Sequence, residues 1–204
     1  MADISPGQFP QTPSFQSVNF KINTPTMMTE TTSGKMRRVT QGHSYYSFDV
    51  KYPSITSSQL GEVTGFCATA MGPMYSFEVV LPELSVSKAS NTSANNIAIS
   101  STVAVGQKYA NLTGLPSNTT VLKAGDFFRF NTHSKVYMVT QDCTSSGTTA
   151  NLQFSGACVS SVPSGTRIWT NGVPFTVILS SPEQSMDVGY GGISTLTLSM
   201  REVW

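Results

Sequence analysis

The chain has few charged residues. Asp, Glu, Lys and Arg make up 11% of its 204 residues, against roughly 25% in an average soluble domain. Twelve cations nearly balance eleven anions, so the formal net charge is +1. Without a basic excess or a run of Lys and Arg, long-range attraction to nucleic acid is not indicated. A net charge near zero also favours association with other proteins.

Long hydrophobic runs are absent as well. No apolar stretch approaches the roughly 18 residues that a membrane-spanning helix needs. The first residues, Met-Ala-Asp-Ile-Ser-Pro, have neither the basic nor the apolar region of a secretion signal. We therefore expect the Asn-x-Ser/Thr triplets that begin at Asn91, Asn111 and Asn118 to be chance matches rather than glycosylation sites.

Residues that carry catalysis or bind metals are scarce. The three cysteines cannot all pair within one chain and none has CxxC spacing, so we expect reduced thiols, with a Cys143–Cys158 disulfide as the less favoured alternative. His43 and His133 lie in polar turns without a ligand-spaced partner. The carboxylates are scattered, and the common hydrolase and nucleotide-binding motifs are missing. The sequence therefore predicts no catalytic residue, no metal ligand and no cofactor.

Small hydroxyl residues are abundant instead. The chain contains 29 Ser and 25 Thr, together with 16 Gly and 11 Pro, and it is 39% hydrophobic. The apolar content is sufficient for a real core. A hydroxyl group can find a partner in a buried contact where an isolated charge would be costly. The composition therefore favours a β-rich protein whose surface is largely covered by other protein.

Period-2 alternation predicts strands along most of the chain. In the strand 45–52, aromatic and aliphatic residues alternate with Ser47, Asp49 and Lys51, which is typical of a half-buried strand. Ser33-Gly34-Lys35 predicts a hairpin turn between 26–32 and 36–40. Further predicted strands lie at 75–81, 127–130, 135–140, 149–154, 167–170, 174–179 and 193–203.

One segment has helical periodicity. Thr56-Ser57-Ser58-Gln59 fits a capping box at a helix start. Apolar residues then recur at spacings of three and four, and Gly72-Pro73 ends the pattern. The sequence therefore predicts a single helix over about 56–71.

The composition changes along the chain and predicts three parts. Residues 1–16 form an extended N-terminal arm, which is either disordered or docked on a neighbouring molecule. Residues 17–84 and 172–204 together form a β domain, in which the strand 193–203 joins the sheet of the first 81 residues. Residues 85–171, rich in Ser, Asn and Thr, form a small inserted β-barrel-like domain.

The order of these elements resembles that of a known family. Ser33-Gly34-Lys35-Met36-Arg37-Arg38, the aromatic strand 45–52, the helix after Pro53 and the strand 75–81 resemble the first half of bacteriophage tail-tube-fold proteins. The stretch 125–140 resembles an insertion in some phage baseplate proteins, and the strand 193–203 resembles the closing strand of the fold. The resemblance implies a mainly β, tail-tube-like β-sandwich or split barrel with one helix, plus the inserted domain.

The same resemblance implies a function. It implies a structural component of a phage tail or baseplate without catalytic activity, located in the virion after assembly in the host cytoplasm. Proteins of this fold form rings, commonly of six copies, around a channel through which DNA passes, and their sheet edges pair between subunits. The other partners would be tube, hub, sheath or wedge proteins. A distal tail protein, a tube initiator and a tube-to-baseplate or sheath adaptor all remain open.

Candidate subunit contacts come from three places. The arm contributes its two aromatic residues, and the predicted hairpin contributes a cluster of cations that equally fits a solvated turn. The terminal strand contributes its apolar face. The candidates are Phe9, Phe15, Lys35, Arg37, Arg38, Leu196, Leu198 and Met200.

Two other functions are alternatives to this one. A carbohydrate-binding attachment protein of the virion would use Trp169, Trp204 or Tyr190 as stacking platforms, but no repeated aromatic motif supports it. A cell-wall hydrolase has too few candidate acids and bases for a mechanism to be named.

Overall fold

The computed structural model describes residues 6–89, 97–188 and 193–204, and all structural statements below concern these residues. Asn91, whose triplet is expected to be a chance match, and Tyr190, a stacking candidate of the alternative function, lie outside them. The fold is mainly β, as predicted, with one helix, α1 (Ser57–Ala70), in the described part. The strands are β1 (Ser17–Asn23), β2 (Thr26–Glu30), β3 (Met36–Thr40), β4 (Tyr45–Lys51), β5 (Ile55–Thr56), β6 (Phe77–Val80), β7 (Ala98–Ile99), β8 (Tyr109–Thr113), β9 (Thr120–Leu122), β10 (Phe127–Phe130), β11 (Val136–Val139), β12 (Cys143–Thr144), β13 (Thr149–Ser155), β14 (Ile168–Trp169), β15 (Pro174–Leu179), β16 (Met186–Val188) and β17 (Ile193–Glu202).

The main sheet brings the two ends of the chain together. Its strand order is β1-β4-β17-β15-β6, and β5 and β16 pair with the first part of β17. The pairing is antiparallel throughout, with Phe48 opposite Phe20 on β1 and Met200 on β17. The terminal strand therefore lies at the centre of this sheet, between β4 and β15, and its predicted pairing with the first 81 residues is confirmed at β4.

Helix α1 covers one face of the main sheet. The predicted capping box is present, since the N–H of Thr56 donates to Gln59 Oε1. Val63, Cys67 and Ala70 are buried in the core that α1 shares with the sheet. Met71 takes a left-handed conformation with φ of 51° and ends the helix. The predicted bounds of 56–71 agree with the observed ones to within one residue.

A second sheet curls into a nearly closed barrel. Its six strands run in the order β14-β10-β11-β13-β8-β7. Backbone hydrogen bonds from Ile99 N–H to Thr166 O and from Ile168 N–H to Ile97 O connect the first and last strands. Closure satisfies main-chain groups that an open sheet would present at its edges. This barrel does not need a neighbouring subunit to complete its pairing.

The hairpin of β10 and β11 lies between two hydrophobic cores. Phe127 and Val136 belong to the core of the main sheet, whereas Phe128 and Tyr137 belong to the barrel core. Successive residues of a strand point to opposite faces, so both faces of this hairpin are buried. Its continuous apolar sequence follows from that position. The division of the chain at 84/85 and 171/172 itself stays a prediction.

Candidate interaction surfaces

The hairpin of β2 and β3 is exposed on both faces. The two strands pair with each other and with no further strand among the described residues. Met27 and Val39 face each other on one side and are 54% and 64% exposed, while Met28 and Met36 lie on the other side at 65% and 57%. An isolated two-stranded hairpin is at best marginally stable in water. This hairpin is thus an apolar surface that its own subunit leaves uncovered.

The same hairpin carries the predicted cationic cluster. Its turn is where the sequence placed it, with Thr31 N–H donating to Lys35 O at 3.0 Å and Gly34 at φ of +77°. Lys35, Arg37 and Arg38 are all exposed. None of the three forms a salt bridge within the part of the chain that the structure describes. Their role in subunit contacts stays a prediction.

Four of the predicted contact residues are buried inside their own subunit. Leu196, Leu198 and Met200 are at most 1% exposed and belong to the core beneath the main sheet. Their alternation indicated that one strand face is covered, and within the described subunit the cover is α1 and the same sheet's neighbours. Their role in subunit contacts stays a prediction.

The fourth is Phe9, which docks on its own subunit rather than on a neighbour. Its N–H donates to Glu78 O at 2.7 Å, and Glu78 N–H donates to Gly7 O at 3.0 Å, so the arm extends the edge of β6. The Phe9 ring stacks on Phe77 and meets Phe66 edge-on. Phe15 is partly buried against Tyr52, with ring centroids 5.3 Å apart. The arm from residue 6 onward is therefore an ordered part of the main core.

The outer face of the main sheet is polar and centred on Asp49. Lys21 Nζ donates to Asp49 Oδ2 at 2.6 Å, and Ser199 Oγ donates to Asp49 Oδ1 at 2.6 Å. Asn19 Nδ2 also reaches Oδ2 at 3.4 Å. These donors hold the pKa of Asp49 below its ordinary value, Lys21 first and Ser199 next. Sequence analysis missed this network, although its members are the polar alternate residues of β1, β4 and β17.

A buried ion pair joins the main sheet to the barrel. Glu202 Oε2 accepts from Lys135 Nζ at 2.5 Å, and its carboxylate also accepts from the N–H groups of Tyr46 and Val136. Lys135 Nζ lies 4.8 Å from the Tyr46 ring centre and 4.3 Å from that of Trp204. Burial lowers the pKa of Lys135 and raises that of Glu202, while their mutual attraction opposes both shifts. No local pattern indicates this pair, whose two members are 67 residues apart in the chain.

A second ion pair holds the barrel at the main sheet, and a buried carboxylate ties the start of the segment 85–171 to β10. Arg129 Nη1 on β10 pairs with Glu78 Oε1 on β6 at 2.8 Å, and its guanidinium lies over the Trp169 ring at 5.6 Å. The buried Asp126 accepts from Ser87 Oγ at 2.7 Å and from the N–H of Lys88 at 3.0 Å. Together with Phe127 and Val136, these contacts fix the position of the barrel.

The residues considered for catalysis and sugar stacking are spread over the molecule. His133 pairs with Tyr137 Oη at 3.0 Å, and burial lowers its pKa, whereas the ring of His43 meets Trp204. Trp169 and Trp204 each contact a cation of their own chain, Arg129 and Lys135. In the described ranges, no three His, Cys, Asp or Glu side chains are grouped for a metal ion.

The cysteines and the helix complete this inventory. Cys67, Cys143 and Cys158 are free and buried, and burial raises the pKa of Cys67 and of Cys143 to about 11. A thiol with a raised pKa is a poor nucleophile because little thiolate forms. Across residues 6–89, 97–188 and 193–204, no helix has the length and apolar character to cross a membrane.

Comparison with known proteins defines the class. Residues 88–173, which contain the whole barrel, match the family model of the B domain of distal tail protein pb9. The predicted resemblance to phage tail proteins is confirmed, and the chain is similar to the distal tail proteins of bacteriophages. One similar protein is distal tail protein pb9 of Escherichia phage T5. It is 26% identical over 193 residues, which cover 92% of this chain and 91% of that protein.

Proposed function

We propose that this protein forms a ring of six copies that joins the tail tube to the baseplate or sheath around a central channel. It acts by assembly and not by catalysis, and needs no cofactor. Its partners are identical copies and the tube, hub, sheath or wedge proteins of the tail, and it assembles in the host cytoplasm before it becomes part of the virion.

The observation that carries the proposal is the uncovered β2–β3 hairpin. Two other parts of the described subunit pair their own strand edges, since the barrel nearly closes on itself and the arm pairs with the edge of β6. The hairpin keeps four large apolar side chains more than half exposed. Contiguous exposed apolar surface is typical of a contact with another protein. The outer edge of β1, which no strand covers among the described residues, lies beside it and is available for pairing with a neighbouring sheet.

The polar outer face of the main sheet supports the position around a channel. Its two closest charges, Lys21 and Asp49, neutralise each other, and the rest of the Asp49 network is hydroxyl and amide. The same face also carries the exposed cations Lys51 and Arg201, which form no salt bridge among the described residues, so its attraction for the phosphates of DNA is limited to these two charges. We propose that this face lines the channel.

The division into domains fits the same scheme. Residues 17–84 and 172–204 form the ring, and the inserted domain 85–171 presents a second surface to the surrounding tail proteins. Two separate cores support this division, and the buried contact at Glu202 and the partly exposed contact at Glu78 link the two parts. The arm, 1–16, braces the β6 edge through Phe9.

The test is the oligomeric state of the full chain, alone and in the virion. Sedimentation velocity and negative-stain electron microscopy of purified protein should show closed rings of six copies at micromolar concentration. Antibody labelling of intact particles should place the protein at the distal end of the tail tube. A chain that remains monomeric up to the highest soluble concentration, and particles that carry no label, would contradict the proposal.

A further inference from the structure

We infer that the β2–β3 hairpin of one copy docks on the surface between α1 and β6 of the next copy, so that each subunit contributes two different faces to a head-to-tail contact. This inference rests on the proposed ring. The donor hairpin is defined by Met27, Met28, Lys35, Met36, Arg37, Arg38 and Val39. The acceptor surface is defined by Glu62, Met71, Met74 and Glu183.

The two surfaces lie at opposite edges of the main sheet. The hairpin follows directly on β1, which is one end of the strand order, and β6 is the other end. Helix α1 is tied to the β6 end because Phe66 packs edge-on against Phe77 of β6 at 5.0 Å. A contact between two different patches of one molecule is heterologous, and repeated with closing rotation it generates a ring.

The acceptor surface carries exposed apolar side chains on a firmly held turn. Met71 and Met74 are 63% and 69% exposed, at the connection from α1 to β6. Backbone hydrogen bonds from Met71 N–H to Ala68 O and from Met74 N–H to Met71 O hold the turn. Gly72, at φ of +64°, approaches Pro182 so closely that a Cβ would lie 3.0 Å from the Pro182 Cα. Because methionine side chains adapt to irregular surfaces, these two fit the methionines of the hairpin.

The charges of the two surfaces are complementary. The hairpin has three cations against one anion, Glu30, and all four side chains are exposed. The acceptor has Glu62, which lies four residues before Phe66 and hence on the same side of α1. It also has Glu183, the residue after Pro182. Neither carboxylate forms a salt bridge in residues 6–89, 97–188 and 193–204. Complementary charge steers encounter and fixes register, and it favours a second copy as the occupant.

Charge reversal with rescue tests the contact in the full chain. The variant Lys35→Glu/Arg37→Glu/Arg38→Glu should weaken ring formation at least tenfold in sedimentation equilibrium. The matched control Lys108→Glu/Lys123→Glu/Arg167→Glu makes the same charge change on exposed barrel positions and should leave ring formation within twofold of wild type. Adding Glu62→Lys/Glu183→Lys to the hairpin variant should restore at least a third of the lost affinity on a logarithmic scale. Adding Glu83→Lys, at the far end of β6, should not.

Site-directed cross-linking gives a second readout that does not depend on charge. Met28→Cys and Met74→Cys chains, mixed in equal amounts with a short bismaleimide, should yield covalent dimers. Each variant alone should yield few, because the native cysteines are buried. Far-UV circular dichroism checks that every variant is folded.

The outcomes separate this inference from the proposed function. If wild-type protein forms rings while the hairpin variant assembles as well as its control, the head-to-tail contact is wrong and the ring stands. Absence of rescue, or of cross-linked dimers in the mixture, likewise contradicts the contact. If wild-type protein forms no ring and is absent from the virion, both are wrong.

Discussion

At the scale of single residues, Lys135–Glu202 is the salt bridge of the described residues in which both side chains are buried. Their side chains are 3% and 0% exposed, so water solvates neither charge. The Glu202 carboxylate keeps three donors, and the ammonium group lies between two aromatic rings. Removing one partner of a buried pair leaves an uncompensated charge, which costs more than losing both.

We therefore expect Lys135→Met to destabilise the subunit by about 3–5 kcal/mol, and Lys135→Met combined with Glu202→Gln to recover part of that loss. Urea unfolding followed by circular dichroism measures the free energy of unfolding of each variant. Lys123→Met, on an exposed barrel lysine, is the control and should change it by less than ~0.5 kcal/mol. A double variant less stable than Lys135→Met alone would contradict this account.

The free energy of unfolding of the subunit should depend on pH through the Asp49 carboxylate. Its folded pKa lies below the ordinary value because Lys21 and Ser199 donate to the carboxylate. Stability from such a group is present above the unfolded pKa of about 3.9 and is lost as the pH falls through the folded pKa. Asp49→Asn should therefore flatten the fall in unfolding free energy below pH 4.

Urea unfolding at a series of pH values checks this prediction, and NMR titration of the Asp49 carboxyl carbon reports its pKa directly. Lys21→Met should move that pKa part of the way back towards the ordinary value, since Ser199 remains. A titration of Asp49 at or above its ordinary pKa would contradict the network.

At the scale of elements, two large apolar residues of similar size differ completely in their surroundings. Phe9 in the arm is 1% exposed and touches Phe66 and Phe77, whereas Met28 in the hairpin is 65% exposed. The sequence placed Phe9 in an arm outside the β domain and Met28 in a strand within it. Truncating Phe9 and truncating Met28 should therefore change the free energy of unfolding of the subunit by very different amounts.

Phe9→Ala should cost about 3–5 kcal/mol of unfolding free energy, the usual range for a fully buried aromatic ring. Met28→Ala should cost less than ~0.5 kcal/mol, as at other exposed positions. Thermal and urea unfolding of the two variants at a concentration where the chain is monomeric measures both. Equal losses would show that the hairpin is packed within its own subunit, or that the arm is not.

At the scale of the whole molecule, the barrel is a candidate for independent folding. It has a core of its own and its sheet nearly closes, and residues 88–173 match a family model as a unit. The β10–β11 hairpin nevertheless turns Phe127 and Val136 into the core of the main sheet. Excision would expose these two side chains to water.

Residues 88–173 produced alone with Phe127→Ser and Val136→Thr should therefore fold cooperatively as a monomer. Far-UV circular dichroism and urea unfolding measure this, and the unsubstituted segment should fold but self-associate. A segment that remains unfolded in both forms would mean that the inserted domain depends on the main sheet for folding.

The sequence by itself determined the elements, because each rests on local physics. Period-2 alternation indicated β4 and β17, and two apolar runs around the polar turn 131–134 indicated β10 and β11. The capping box and Gly72 indicated α1, and Ser33-Gly34-Lys35 indicated the turn of the β2–β3 hairpin. Composition and element order indicated a resemblance to phage tail proteins, and the comparisons favour the distal tail protein among the alternatives left open. These signals lie within a few residues of one another, so no knowledge of the fold was needed to interpret them.

Only the tertiary structure decided what covers each apolar face. Alternation in β17 shows that Leu196, Leu198 and Met200 are buried, but not whether α1 or another subunit buries them. Phe9 joins the core through contacts with residues more than fifty positions away, and Lys135 meets Glu202 across 67. Such contacts depend on the path of the chain in space, which local sequence does not encode. The hairpin is the converse case, since its methionines looked like an ordinary strand until the fold left both of its faces uncovered.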